Sequence, residues 1–246
     1  MTMTLRYLSL EVGRSWRNRR YLLFSVAMPV LFFFIWSNIF GGDGSGRTST
    51  KAYLMTSMAA YGCITAAVSA GVRIALERAT GWNRQLKLTA LPPASYLAGK
   101  LAVSMALAIP SILLVFLAGA LVEGVSMPAG AWALTAVCTW LGLLPFAALG
   151  IVVGYVAGPD AVQALLPIVT IGLSLLGGLW VPVTQMPSVM ADLARVVPSY
   201  WLGELSRGAL VSSTVDGASV AVLLVWTLVL GALVVRLFRR ETARGW

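Results

Sequence analysis

The segment GGDGSGRTST, residues 41–50, has the spacing most suggestive of chemistry. Gly41, Gly46, Arg47 and Thr48 follow the order of a phosphate-binding loop, except that arginine stands where such loops carry lysine. A working loop of this kind follows a buried β-strand, and its lysine reaches the phosphates. Here an apolar run, FFFIWSNIF, precedes the segment, and Gly, Ser and Asp favour turns for conformational reasons. We therefore interpret the segment as a flexible turn and expect no ATP hydrolysis by this chain itself.

Other residues that could carry catalysis are scarce. The chain of 246 residues contains no histidine, which excludes Ser-His, Cys-His and His-metal chemistry. Its two cysteines, Cys63 and Cys138, lie in apolar runs and are expected to be inert buried thiols, so no metal site is predicted. An intramembrane protease or lipid transferase would need a nucleophile with a positioned base, or clustered acids. The sequence disfavours that class.

The composition indicates that much of this chain lies in a lipid bilayer. Hydrophobic residues make up 59% of the sequence and charged residues only 11%, whereas a soluble domain has about 25% charged residues. A hydrocarbon core of about 30 Å requires about 20 helical residues. The sequence therefore predicts an all-α membrane protein, a single transmembrane domain with six helical spans. The predicted spans are 21–40, 53–72, 101–122, 131–156, 161–181 and 218–237.

The distribution of Lys and Arg predicts the orientation. The net charge of +9 would suggest a nucleic-acid partner in a soluble protein, but here the basic residues alternate between the two sides of the predicted spans. Fourteen of the 18 lie in the N-terminal segment, the loop 73–100 or the C-terminal segment. By the positive-inside rule, both termini are expected to be cytoplasmic. The expected location is the plasma membrane of a bacterium, which the chain crosses several times, and no nucleic-acid partner is expected.

Two further segments have helical patterns. Leu5, Leu8, Val12 and Trp16 recur at helical spacing within residues 2–20, which predicts an amphipathic helix at the cytoplasmic surface; a frayed basic tail is the alternative. Residues 182–217 contain two short apolar patterns, near 187–197 and 200–211, broken by Pro198. Each is too short to cross a membrane, so a re-entrant helical hairpin on the outer side is predicted, with Asp216 as the cap of the last span. A simple extracellular loop is the alternative.

The loop 73–100, RIALERATGWNRQLKLTALPPASYLAGK, is the longest segment on the cytoplasmic side. Its residue spacing allows helix on either side of Gly81, and Pro92 and Pro93 are expected to end helical structure before the third span begins near Lys100. From physical chemistry alone it is a charged helical elbow that faces the cytoplasm. A solvated loop that touches lipid headgroups is the alternative.

This loop resembles the cytoplasmic loop of type 2 ABC-transporter permeases. The resemblance lies in Glu77-Arg78, Gly81-Trp82, Arg84-Gln85-Leu86, Ala90-Leu91-Pro92 and Lys100. The outer segment also resembles the family, through Pro182, Met186-Pro187, Pro198, Tyr200 and Arg207. Two residues depart from the pattern: Ala79 stands where an acidic residue is common, and Ala90 where threonine often precedes Leu-Pro.

The resemblance implies the membrane subunit of an ABC exporter. Two permease subunits pair as a homodimer, and two separate ATP-binding subunits hold ATP and magnesium, so this chain binds no cofactor. The drug and antibiotic exporters of the daunorubicin-resistance type are the most similar members. The implied docking residues for the ATP-binding subunit are Glu77, Arg78, Gly81, Trp82, Arg84, Gln85, Leu86 and Pro92. Trp82 is expected to be the buried anchor, because large aromatic residues dominate interface energies.

Polar and aromatic residues within the spans are candidates for the substrate pathway. They are Asn38, Ser57, Tyr61, Thr65, Gln163 and Ser174. Hydrogen bonds between packed helices are the alternative role for each of them. All nine acidic residues lie at span ends or outside the spans, which disfavours a proton- or sodium-coupled carrier. An amphiphilic or hydrophobic compound is the expected cargo, and a lipid, a polysaccharide precursor and sodium remain open. A non-transporting membrane sensor or assembly scaffold is the alternative function.

Overall fold

The computed structural model describes residues 13, 19–42, 46, 48–81 and 93–243. Over these residues the chain is helical and contains no β-strand, which confirms the all-α prediction. The helices in chain order are α1 Arg19–Phe40, α2 Thr50–Val68, α3 Ala70–Ala79, α4 Pro93–Leu121, α5 Ala129–Leu141, α6 Leu144–Val156, α7 Pro159–Leu176, α8 Ser188–Val196, α9 Pro198–Ser212 and α10 Gly217–Ala243, with a 3-10 turn at Val183–Gln185. The amphipathic helix predicted for residues 2–20 lies almost entirely outside the described residues.

Within the described residues, five helical segments are long and apolar enough to cross a membrane. They are Thr50–Ala79, Ser95–Leu121, Ala129–Val156, Pro159–Leu176 and Gly217–Glu241. The first and third of these each join two consecutive helices, α2 with α3 and α5 with α6. Each corresponds to one predicted span. Helix α1 has 22 residues, and the part of it whose side chains the structure describes, Val26–Phe40, is apolar.

Three predicted boundaries differ from the structure. Helix α4 begins at Pro93, so Lys100 lies inside the helix and not before it. Proline suits the first position of a helix because its missing NH would have no partner there. Helix α3 continues the second span to Ala79, seven residues beyond its predicted end at 72. Helix α7 ends at Leu176 and not at 181, because Gly178 adopts a φ of +72° and the backbone turns.

Helix α2 forms the centre of the bundle. It packs against α1, α4, α6 and α9, and most of its residues are buried. At Gly62 the neighbouring helices approach so closely that a Cβ atom would lie 2.9 Å from Cγ of Pro29 in α1 and still nearer to the Ser111 hydroxyl in α4. Small residues permit such close approach, and dispersion and packing are what hold helices together in lipid.

A second close contact joins α3 to α6 through three glycines. A Cβ atom on Gly150 would lie 2.7 Å from the carbonyl oxygen of Val68, and one on Gly154 would lie 2.6 Å from the carbonyl oxygen of Gly71. The obstructing atoms belong to the backbone, which cannot move aside as a flexible side chain can. The glycines therefore determine how closely α6 lies against the α2–α3 segment.

Helices α7 and α10 lie at the outside of the bundle. Only 17% of the most apolar window of α7 and 22% of that of α10 is buried, compared with 72% for Thr50–Ala79. Helix α10 begins with the predicted cap, since Asp216 accepts hydrogen bonds from the backbone NH and the hydroxyl of Ser219. These hydrogen bonds hold the pKa of Asp216 below its ordinary value. Both helices therefore have an apolar face that the rest of the chain does not cover.

Replacing Gly150 with leucine is expected to destabilise the protein. The new side chain would meet backbone carbonyl oxygens of α2, and overpacking of a dense core costs about 1–3 kcal/mol or more. The measurement is the thermal unfolding temperature of the purified chain in detergent. Gly231→Leu in α10 is the matched control, because a Cβ at Gly231 meets no atom within 4 Å. Equal unfolding temperatures for the two variants would contradict the close contact.

Candidate functional site

The ends of α3, α4, α6 and α10 meet in a partly buried group of charged and aromatic side chains. We call this the charged cluster and define it as Glu77, Arg78, Tyr96, Lys100 and Glu241. It lies at the end of the bundle where the chain leaves α3 and returns as α4, which we call the loop end. Residues 82–92 connect these two helices, and the predicted docking residues Trp82, Arg84, Gln85, Leu86 and Pro92 are among them, outside the described residues.

Glu77 joins α3 to α4. The ammonium group of Lys100 lies 2.5 Å from Oε1 of Glu77, and the hydroxyl of Tyr96 donates a hydrogen bond of 2.8 Å to Oε2. The Lys100 side chain is only 2% exposed, and its Nζ atom lies 5.2 Å from the centre of the Tyr96 ring. A charge buried so deeply requires a partner, because an unpaired ion in an apolar environment is costly. The two helices that flank the loop are therefore held together by an ion pair.

Arg78 joins α3 to α6 and α10. Its Nη1 atom donates hydrogen bonds to the carbonyl oxygens of Gly154, at 3.1 Å, and Tyr155, at 2.6 Å. These carbonyls belong to the last turn of α6, where no helical NH is available to them. Its Nε atom donates to Oε1 of Glu241 at 2.9 Å, and its guanidinium carbon lies 5.5 Å from the centre of the Tyr155 ring. A guanidinium group can make these contacts at once because its donors are fixed in a planar fork.

Gly81 ends the helix that carries both residues. It adopts a φ of +72°, and its backbone NH donates to the carbonyl oxygen of Arg78 at 3.2 Å, while Thr80 donates to that of Leu76 at 3.0 Å. A residue in the left-handed conformation after the last helical turn is a common helix stop, and glycine adopts it without a Cβ penalty. Helix α3 therefore ends within one turn of Glu77 and Arg78, its two members of the charged cluster.

Sequence reasoning named part of this cluster and missed the rest. Glu77 and Arg78 were expected to present charge to another subunit, and the structure gives them partners within the chain. Lys100 was named only as part of the family pattern in the loop, and no role was predicted for Tyr96 or Glu241. A lone lysine at the edge of an apolar run does signal a carboxylate partner. The sequence alone does not say which carboxylate it is. Contact of the loop with an ATP-binding subunit stays a prediction.

A second polar group lies where α1, α2 and α4 approach the connection 41–49. Nζ of Lys51 lies 3.0 Å from Oε2 of Glu123, and the hydroxyl of Ser37 donates to Oε1 of Glu123 at 2.8 Å. Desolvation disfavours the charged carboxylate of Glu123. The hydrogen bonds from Ser37 and Lys51 and the charge of Lys51 outweigh that effect, so the pKa of Glu123 lies below its ordinary value of 4.5.

The connection that resembled a phosphate-binding loop joins two helices. Helix α1 ends at Phe40, where a strand would precede a true phosphate-binding loop. The backbone NH of Gly41 donates to the carbonyl oxygen of Ser37 at 2.8 Å, and Gly42 has a φ of +56°. Ser49 caps α2 by accepting a hydrogen bond of 3.1 Å from the backbone NH of Ala52. The described part of this segment is a helix-to-helix turn, as predicted.

The predicted pathway residues occupy different environments. Ser57, Tyr61 and Ser174 are buried, Thr65 is half-buried and Asn38 and Gln163 are exposed. Tyr61 belongs to an aromatic group with Phe32 and Trp180, whose ring centres lie 5.3–6.0 Å apart. The side chains of Thr65 and Asn38 donate to backbone carbonyls one turn earlier in their own helices. The six residues therefore do not form one surface, and their part in a substrate pathway stays a prediction.

The described residues contain no group of three or more His, Cys, Asp or Glu side chains that could hold a metal ion. Cys63 and Cys138 are both free and buried, as the sequence predicted. The charged cluster is a junction that joins α3 to α4, α6 and α10.

Replacing Lys100 with methionine is expected to destabilise the chain by about 3–5 kcal/mol, because the Glu77 carboxylate would remain buried without its ammonium partner. The double variant Glu77→Gln/Lys100→Met removes both charges and is expected to recover most of that loss. Thermal unfolding of the purified single and double variants provides the comparison. A double variant as unstable as Lys100→Met would show that the ion pair is not the cause.

Acidification is expected to weaken the contact between Lys51 and Glu123. A carboxylate whose pKa is lower in the folded than in the unfolded chain contributes stability above the unfolded value, here near 4.5, and loses it as the pH falls through the folded value. Glu123→Gln should therefore unfold at a lower temperature than the unmodified chain at pH 7, and the difference should shrink below pH 4. A difference that stays constant with pH would contradict this assignment.

Comparison with known proteins gives two matches. The ABC-2 type transporter family matches residues 5–211. The protein named "Putative transport permease YvfS" from Bacillus subtilis (strain 168) is 28% identical over 203 residues, which cover 80% of this chain and 83% of that protein. The family match covers most of the described helices and both segments in which the sequence resembled type 2 permeases. The chain belongs to the ABC-2 type transporter family.

Proposed function

We propose that this chain is the permease subunit of an ATP-driven exporter, with ATP and magnesium held by a separate subunit. Permeases of this family typically pair with an ATP-binding subunit. The observation that carries the proposal is the charged cluster, which holds both ends of the loop 82–92 to the bundle. A displacement of the loop would move α3 and α4 together, since Glu77 and Lys100 join them. Arg78 would carry the same displacement to α6 and α10.

The loop itself supplies the docking surface in this proposal. Trp82 anchors it, and Arg84, Gln85, Leu86 and Pro92 surround the anchor. Glu77, Arg78 and Gly81 fix the direction in which the loop leaves the bundle. The nucleotide state of the partner then biases a two-state equilibrium between inward and outward access of the membrane subunits.

The topology in this proposal has six spans, with α1 as the first and the loop end in the cytoplasm. The charged cluster brings the C-terminal ends of α3 and α10 to the same end of the bundle as the start of α4. Basic residues are concentrated there, in agreement with the positive-inside rule. Both termini are then cytoplasmic and the membrane is a bacterial plasma membrane. Helices α8 and α9 form the re-entrant hairpin on the opposite side.

A second copy of the chain completes the membrane part. Helix α7 supports this, because several large apolar side chains on it are exposed although the helix belongs to the bundle. They are Leu165, Ile168, Ile171 and Leu175. The complex proposed is two permease subunits with two ATP-binding subunits.

The cargo proposed is an amphiphilic or hydrophobic compound, namely a drug, an antibiotic or a lipid-like molecule. The described acidic residues lie outside the five membrane-length segments or in the first or last turn of one, so the spans offer few charges to a strongly hydrated ion. Drug susceptibility of cells with and without the chain is the direct assay. Extrusion of sodium or of a polysaccharide precursor, without effect on drugs, would assign the cargo to another class.

Replacing Trp82 with alanine is expected to leave membrane insertion intact and to weaken binding of the ATP-binding subunit by roughly thirtyfold, since a buried aromatic anchor contributes about 2 kcal/mol or more. Co-purification, ATPase stimulation by cargo and export are measured together. Trp82→Phe is the control and should retain most of the coupling, because it keeps an aromatic ring.

Two outcomes would contradict the proposal. Normal ATPase coupling and export in the Trp82→Ala variant would remove the docking role of the loop. An ATPase that binds the chain but never moves a compound would favour a sensor or assembly scaffold.

A further inference from the structure

The outward face of α10 carries a shallow groove. Its apolar part is lined by Thr227, Leu228, Gly231, Ala232 and Val235, which recur at three- and four-residue spacing along one side of the helix. The Leu228 side chain is 72% exposed and that of Val235 is 44% exposed. A Cβ atom at Gly231 would meet no other atom within 4 Å, so the middle of the groove is open.

The opposite face of the same helix is used for packing inside the chain. Leu230 and Val234 are buried against α6, together with Ile151 and Tyr155. The groove is therefore not a gap in the bundle. It is a surface that the fold turns outward, on a helix long and apolar enough to cross a membrane.

The length of the groove fits one leaflet of a bilayer. From Thr227 to Arg236 the helix rises by about 14 Å, at about 1.5 Å per residue. The hydrocarbon core of a bilayer is about 30 Å thick, so one leaflet is about 15 Å deep. An acyl chain that lies along the groove would reach from the middle of the membrane to its surface.

The groove ends in positive charge. Arg236, Arg239 and Arg240 line its last turn. The acidic side chain that follows them, Glu241, accepts a hydrogen bond of 2.9 Å from Arg78 and so is already paired on the other side of the helix. Arginine presents several donors that suit phosphate geometry. The surface thus combines an apolar channel of acyl-chain length with a cationic end.

We propose that this groove binds an anionic phospholipid, with an acyl chain along Thr227–Val235 and the phosphate between Arg236 and Arg240. Charge complementarity distinguishes this occupant from a second copy of the chain. Two copies in one membrane have the same orientation, so a symmetric contact through this face would bring both sets of arginines together at the same depth. A phospholipid neutralises them instead.

The test is native mass spectrometry of the purified full-length chain with phosphatidylglycerol or phosphatidylcholine of identical acyl chains. We expect the first phosphatidylglycerol to bind roughly thirtyfold more tightly than phosphatidylcholine, since each of the two arginines near the anionic headgroup contributes about fivefold. Arg236→Gln/Arg240→Gln should remove most of that preference, because only Arg239 of the cationic end remains, and should weaken phosphatidylcholine binding far less than phosphatidylglycerol binding. Arg236→Lys/Arg240→Lys, which keeps both charges, should retain most of it.

A second pair of variants tests the apolar part. Gly231→Leu fills the groove and should weaken binding of both lipids, whereas Gly172→Leu, at a similarly open position on α7, should affect neither. Equal affinity for the two lipids, or a preference that is undiminished in the Arg→Gln double variant, would overturn the proposal. Unchanged lipid binding by Gly231→Leu would overturn it as well. A chain dimer that Gly231→Leu dissociates would show that a second copy occupies the groove.

Discussion

The ion pair between Lys100 and Glu77 joins α3 to α4, the two helices that residues 82–92 connect, and the arrangement of the loop end depends on it. Lys100 is 2% exposed, so its charge is stable in this position only with a partner at hydrogen-bond distance. The partner must come from the preceding helix, which fixes how α3 and α4 lie beside each other. Arg78 is the next residue of α3. It donates hydrogen bonds to carbonyl oxygens in the last turn of α6 and to the carboxylate of Glu241.

Close packing holds the helices together in the middle of the bundle, and charged groups join them toward the ends. In the middle of the bundle, glycines let neighbouring helices approach α2 closely: Gly62 lies against side-chain atoms of α1 and α4, and Gly150 of α6 lies against backbone atoms of α2. Toward the ends of the helices, ion pairs and hydrogen bonds join neighbouring helices, as at Glu77 and Glu123. The outer helices α7 and α10 use one face for these contacts and leave the other to lipid or to a partner. A transport subunit that must change conformation needs both a rigid junction and outward faces of this kind.

The sequence predicted the helices well because their signals are long apolar runs and strong caps. Asp216 as the cap of α10 is such a signal, and so are the two short helices on either side of Pro198. Boundaries set by glycine and proline were less predictable. Pro93 was expected to end helical structure, but helix α4 begins there. Proline is common both just after the end of a helix and at its first position, so the sequence alone does not distinguish the two. The predicted pathway residues were chosen by polarity, which does not distinguish Ser57 in the core from Gln163 on the surface.

The sequence by itself determined the class of the protein. An apolar composition, the alternation of basic segments and the order of weak motifs sufficed for an all-α membrane permease, because lipid imposes a length and a polarity on every span. Only the tertiary structure decided what the charged residues of the loop region contact. Lys100 and Glu77 are 23 positions apart, and Arg78 and Glu241 are 163 positions apart. Local patterns carry no information about such pairs, since they form only when packing has brought distant helix ends together.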